Sequence, residues 1–254
     1  MKNLITVYLI TKDRLNLLKR AVESVLLQEN VNFELIVVDN ASTDETSQYM
    51  TGLTKDDKRV KYISLEKNMG ACYARNIAIK LAKGNYITGM DDDDYFKPNR
   101  LNVLLIKYKA NKHCAFVFGE DAFINNNEVF SQTNKPNVVS AELMKYQNLI
   151  GNQVLSERVK FLSTGGFDES LLAAQDYDMW FRMILKFGEG IKANGVTQFV
   201  EAGSRPRIST SNNKFIGYMQ FYRKHNSLFN TSQRKHQLLN IKYACRKSRA
   251  SSQS

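Results

Sequence analysis

Apolar and polar positions alternate in blocks along the first hundred residues. Residues 4–10, 33–38, 60–65 and 86–90 are short, nearly unbroken apolar runs, the pattern of strands covered on both faces. Between them apolar residues recur at helical spacing. Leu15, Leu18, Val22, Val25 and Leu26 follow the first run, with Asp13 placed to cap their helix, and Ala71, Ala74, Ala78 and Leu81 mark a helix over 70–82, closed by Gly84. The residues from Asp39 to Asp44 are small and polar, suited to a turn and a helix cap. This alternation predicts an α/β fold with a mainly parallel sheet and helices on both faces. Beyond residue 100 the pattern loosens. It predicts a helix over 100–109, a strand over 115–119 and a hairpin over 121–130 turning at Asn125, Asn126 and Asn127. An amphipathic helix over 176–187 carries Trp180, Ile184 and Phe187 on one stripe, and two basic, aromatic helices cover 215–222 and 238–245.

In parallel sheets, ligands bind beyond the carboxyl ends of the strands. Three polar clusters fall there: 11–14, 39–44 and the four consecutive aspartates Asp91, Asp92, Asp93 and Asp94. Four carboxylates at the end of a buried strand repel one another, and a cation relieves that strain. Mg²⁺ and Mn²⁺ take oxygen ligands, typically one or two carboxylates completed by substrate phosphates. The run therefore points to a metal–diphosphate site, with a solvated acidic loop as the alternative. Neither GxxxxGK[ST] nor GxGxxG occurs, which argues against P-loop and dinucleotide-binding chemistry.

A chain of 254 residues with 43% apolar content suits one large domain, or one with an appendage. Its three scattered cysteines form no disulfide or zinc pattern, and a reducing cytoplasm fits them best. No run of 18 apolar residues predicts a membrane span. Net charge does change the picture. From Glu201 onward there are eleven Lys or Arg against one acid, while the first 200 residues balance at +1. A basic C-terminal segment can serve anionic lipid, nucleic acid or phosphorylated substrates. Nucleic acid is disfavoured, because the acidic clusters on the ligand edge would repel a polyanion. The Ser-rich end, 248–254, reads as a disordered tail.

The segments TVYLITKDR (6–14), LIVVDNASTD (35–44), NMGACYARNIAI (68–79), GNYITGMDDDDYFKPNRL (84–101), GGFDE (165–169) and QDYDMWFRM (175–183) together resemble family 2 glycosyltransferases of the GT-A fold. The resemblance implies a nucleotide-sugar half over 1–100, an acceptor half over 101–200 and a basic helical segment over 201–247. It implies that Asp39 holds the uracil of a UDP-sugar and that Thr11 and Arg75 line the nucleotide pocket. The family's DxD motif falls on the aspartate run, with Asp93 on a Mn²⁺ or Mg²⁺ ion and Asp91 second, on the donor side. Asp92 and Asp94 form an alternative register. Asp176 matches the catalytic base of an inverting transfer, preceded by Gln175 where the family usually has Glu; its alternative role is a helix N-cap. Asp178, Trp180 and Arg182 would be scaffold or acceptor wall, and in some relatives a histidine in the place of His225 meets the metal. Residues 207–211 and 215–225 resemble bacterial O-antigen transferases. Those move glucose or galactose in β-1,3 linkage onto N-acetylglucosamine-pyrophosphate-undecaprenol. The enzyme would then sit in the bacterial cytoplasm, peripherally on the inner face of the membrane, through the basic segment with Phe221, Tyr222 and Phe229 at the interface.

Overall fold

The computed structural model describes residues 3–125, 128–201 and 212–251; the turn at Asn126 and Asn127 and the stretch 207–211 lie outside them. In chain order the first elements are β1 (Ile5–Thr11), α1 (Leu15–Leu26), β2 (Phe33–Asp39), α2 (Thr46–Asp56), β3 (Val60–Ser64), α3 (Ala71–Leu81) and β4 (Tyr86–Asp91). The strands pair in parallel in the order β3-β2-β1-β4. Successive strand residues face opposite sides, which fills two cores at once. Ile5, Val7, Leu9, Leu35 and Val37 pack with Leu18, Val22 and Val25 of α1. Tyr8, Ile36 and Val38 pack on the other face with Ala74 and Ala78 of α3.

The chain then forms β5 (Tyr95–Phe96), α4 (Arg100–Ala110), β6 (Phe116–Asn125), β7 (Glu128–Gln132), β8 (Val138–Val139) and α5 (Ala141–Met144). After these come β9 (Ser156–Glu157), α6 (Arg158–Ser163), α7 (Gln175–Phe187), β10 (Gly190–Glu201), α8 (Asn212–His225) and α9 (Thr231–Ser251). Strand β9 closes the first sheet antiparallel to β4. A second sheet, β5-β10-β6-β7, is mixed, with β8 also on β10. A bridge between Val117 and Leu155 ties β6 beside β9. The mixed, mainly parallel architecture with helices on both faces is the one the sequence predicts.

Three expectations need correction, and one element, β10, was not predicted. The helix α1 is not capped by Asp13, which lies at φ +52°. Its first N–H, on Leu15, reaches Asp44 Oδ2 at 3.1 Å, and the other oxygen of Asp44 takes the N–H of Thr46 at 3.1 Å, so one carboxylate serves two helix starts. The long strand β10 has no periodic signal because its register shifts between Lys192, Val196 and Gln198, around Gly195 at φ +76°. The helix α9 runs to Ser251, past the start of the expected disordered tail; Ala244, Arg246, Lys247 and Ala250 are good helix formers. Residues 252–254 lie outside the described ones. Finally, Phe221 and Phe229 are not interfacial. They are 0% and 3% exposed and join the core around Trp180 and Phe181 of α7, with Phe221 stacked on Tyr177 at 3.9 Å between ring centroids.

Candidate active site

Strand register sets the frame of the site. Thr11 pairs with Asp39 and Ile10 with Asp91, so the carboxyl ends of β1, β2 and β4 finish level. Asp91 closes β4, and Asp92, Asp93 and Asp94 turn the chain into β5, with the Asp94 N–H on the Asp91 carbonyl at 3.1 Å. The acidic run is thus the turn that joins the two sheets.

Its four carboxylates divide into two kinds. Asp92 is 5% exposed; it takes the Thr11 hydroxyl at 2.9 Å and Arg14 Nη1 at 2.9 Å. Burial pushes its carboxyl up to about 6, against the pull of Arg14 and Thr11. Asp94 is 2% exposed and accepts Asn152 Nδ2 at 3.0 Å. The side chains of Asp91 and Asp93 are 31% and 23% exposed. Asp91 accepts from Asn152 at 2.8 Å, Gln153 at 3.2 Å and Arg75 at 3.3 Å. Arg14 lies 3.6 Å from Asp93, and Arg20 donates to the Asp93 carbonyl at 2.8 Å. Three arginines and two carboxamides therefore temper the repulsion that the sequence reading assigns to a cation alone.

Asp39 is buried and accepts the Tyr62 hydroxyl at 2.7 Å and the Ser42 N–H at 2.8 Å. Each of its oxygens has a second lone pair. Arg75 bonds neither Asp39 nor Thr11. Its guanidinium lies over the Phe167 ring and bridges Asp91 to Gln175 Oε1 at 2.8 Å. This bridge connects the end of β4 to the start of α7.

Asp176 is the second residue of α7, in its first turn rather than at its cap. The N-cap is Ala174 at φ +55°, a strained left-handed conformation for a residue with a Cβ. Burial raises the Asp176 carboxyl above the ordinary range. The Tyr177 N–H and Arg75 pull it back, while Asp91 adds to the rise. Asn148 Nδ2 donates to Asp176 Oδ2 at 3.0 Å. A carboxylate made more basic in this way, and held by a hydrogen bond, is equipped to accept a proton.

Sequence reasoning placed Arg14 on the ligand edge without giving it a role, and missed Asn148, Asn152 and Gln153 as parts of this site. The one available signal was density: Gln147, Asn148, Asn152 and Gln153 place four carboxamides within seven residues. Gly89 admits this loop, since a Cβ there would lie 2.2 Å from both Gln153 Oε1 and the Tyr8 ring. The metal role weighed for His225 is displaced. His225 is buried, with Nε2 2.8 Å from Asp178 Oδ1. Asp178, itself 0% exposed, also takes Lys224 at 2.9 Å and Arg182 at 2.8 Å. These residues clamp α8 to α7, and Trp180 packs in the core beneath them.

Comparison with known proteins shows the family and the fold. The model of glycosyl transferase family 2 matches residues 6–167. A putative colanic acid biosynthesis glycosyl transferase, WcaA of Escherichia coli (strain K12), is 41% identical over 251 residues, covering 95% of this chain and 88% of that one. Among solved structures, Staphylococcus aureus TarS 1-349 in complex with UDP-GlcNAc superposes with a TM-score of 0.74 at 17% identity, covering 94% of this chain and 72% of the other. The mannosyltransferase PcManGT of Pyrobaculum calidifontis, in complex with GDP-Man and Mn²⁺, gives 0.70 at 15% identity, covering 97% and 73%. The chain belongs to glycosyl transferase family 2 and is a glycosyltransferase of the GT-A fold.

Proposed function

We propose that this enzyme moves a hexose, glucose or galactose, from a UDP-sugar to a hydroxyl of N-acetylglucosamine-pyrophosphate-undecaprenol, with inversion and in β-1,3 linkage. The product would be a lipid-linked repeat unit of a bacterial surface polysaccharide. The carrying observation is the approach of two carboxylate centres at the carboxyl end of the first sheet: the partly exposed Asp91 and Asp93, and the partly buried Asp176 in the first turn of α7, with Arg75 bonding both Asp91 and Gln175, the residue before Asp176. The colanic acid name of WcaA favours surface polysaccharide in general over O-antigen in particular.

Asp39 would accept the uracil N3–H, beside Thr11. The acceptor hydroxyl attacks the anomeric carbon as the bond from that carbon to the UDP oxygen breaks, and Asp176 takes the hydroxyl proton. UDP leaves with the bonding pair. Among the described residues no group of three or more His, Cys, Asp or Glu is arranged to hold a metal ion. The partly exposed carboxylates of Asp93, with Asp91 second, would hold an ion whose remaining ligands come from a substrate diphosphate. Mn²⁺ or Mg²⁺ there would neutralise the charge growing on the departing diphosphate. Asp92 and Asp94 suit that role less, being buried, at 5% and 2% exposed.

No helix among the described residues is long and apolar enough to cross a membrane. The acceptor's lipid tail nonetheless brings the enzyme to the inner face of the cytoplasmic membrane in this reading. No Asp or Glu follows Glu201. With Phe221 and Phe229 buried, the outward face of α9 takes their place: Leu238, Leu239 and Tyr243 are 46%, 56% and 61% exposed, interleaved with exposed Lys235 and Lys242. Incubation with a panel of UDP-sugars, Mn²⁺ and a synthetic GlcNAc-pyrophosphate-lipid tests the proposal. A disaccharide-lipid product from UDP-glucose or UDP-galactose supports it; transfer only from a GDP-sugar, or only to a free polysaccharide, contradicts it.

A further inference from the structure

The loop between α5 and β9 runs along the base, and one carboxamide in it faces two ways. Asn148 Oδ1 accepts the N–H groups of Ile150 at 3.0 Å and Gly151 at 3.3 Å, closing an Asx-type turn. Its Nδ2 donates to the Gly151 carbonyl at 3.2 Å and to Asp176 Oδ2 at 3.0 Å. The loop is also held from behind. The hydroxyl of Tyr177, the residue after the base, bonds the Met144 carbonyl. Gln237 of α9 donates to the carbonyls of Lys145 at 2.8 Å and Tyr146 at 3.0 Å and to the Tyr177 hydroxyl at 2.9 Å. Asn240 adds a bond to the Tyr146 carbonyl at 3.0 Å.

We propose that Asn148 is a positioning residue for Asp176: locked by its own turn and by the strap from Gln237, it fixes the plane of the carboxylate toward the acceptor hydroxyl. The inference rests on Asp176 being the base. A carboxylate held on one oxygen by a group from another element has little torsional freedom left, and placement within a fraction of an ångström decides much of a proton-transfer rate. The N–H of Asn148 also favours the ionised carboxylate. The other groups facing Asp176 are Arg75 from α3, Asp91 from β4, Tyr8 from β1, Tyr218 from α8 and the Tyr177 N–H of its own helix.

The discriminating variant is Asn148→Asp. It keeps the acceptor for Ile150 and Gly151, hence the turn, but cannot donate when ionised. Asn148→Ala removes both functions, Asn148→Ser retains a short donor, and Gln237→Ala loosens the strap from a distance. Carboxyl ¹³C titration of the full-length protein, with Asp176→Asn identifying the resonance, reads the base directly. The pH profile of kcat/KM reads it through turnover. The expected result is a roughly tenfold rise in the proton affinity of Asp176 in Asn148→Asp and Asn148→Ala, the magnitude of one hydrogen bond to a charged group. The acidic limb of the profile should follow, with kcat about tenfold lower and donor KM unchanged, and Asn148→Ser should recover part of both. An Asn148→Asp protein whose carboxyl titrates as in wild type, losing turnover only in step with Tm, would overturn the proposal. A titration that moves while the kinetic limb stays fixed upholds the Asn148–Asp176 coupling and refutes instead the base role it serves.

Discussion

In the proposed mechanism Asp176 answers two demands that pull against each other. A base must be ionised at working pH, yet burial works against its ionised form. The sign is definite: a carboxyl raised in the folded state favours folding at low pH, and that contribution is lost as pH rises through its folded value. Asp176→Asn should therefore lower transfer by about 10²–10⁴-fold while raising Tm at pH 7–8, with the gain in Tm shrinking in acid. Kinetics and calorimetry on the one variant check both halves. Asp92, pushed up to about 6, obeys the same sign. Without added metal, wild-type stability should fall relative to Asp92→Asn as pH rises from about 4 to 6, the window between its ordinary and folded values. In UDP titrations with Mn²⁺, Asp93→Asn should abolish the metal-dependent gain in affinity and Asp92→Asn should keep it.

At the scale of elements, α8 is clamped to α7 through Asp178. Burial alone would raise this carboxyl, but His225, Arg182 and Lys224 hold it below the usual range. That stability is present above the ordinary carboxylate pKa and is lost as pH falls through the depressed one. Removing Lys224 and His225 together leaves a buried charge facing Arg182 alone. The double Ala variant should lose about 3 kcal/mol in urea unfolding at pH 7, and less in acid. Packing adds to the clamp: a Cβ on Gly217 would lie 2.5 Å from the backbone of Ala173, just before α7. Elements with strong local periodicity, such as α1, α3, α7 and the parallel strands, were legible in the sequence because each buries a regular face. The Asp44 cap and the carboxamide loop were not, since their partners lie 28 to 62 positions away and are chosen by tertiary contact. A broken register hid β10 in the same way.

For the whole molecule, charge and donor geometry are divided between its ends. The sequence showed that division in composition and motif order, but a basic aromatic helix reads alike whether its rings face the core or a bilayer, and here Phe221 and Phe229 face the core while Tyr243 faces outward. Each Lys or Arg near an anionic surface contributes about 1 kcal/mol. The protein should float with vesicles containing phosphatidylglycerol, detach in 0.5 M salt, and lose binding on Leu238→Glu with Leu239→Glu. Binding that survives those changes would place the membrane contact elsewhere.

The most direct test of the account is the stereochemistry and dependence of a single transfer. Wild-type enzyme given α-linked UDP-hexose, Mn²⁺ and GlcNAc-pyrophosphate-lipid should yield a β-linked disaccharide by anomeric proton coupling; Asp176→Asn should slow it about 10²–10⁴-fold, and chelation of the metal should abolish it. An α-linked product, or undiminished transfer by Asp176→Asn, would contradict it.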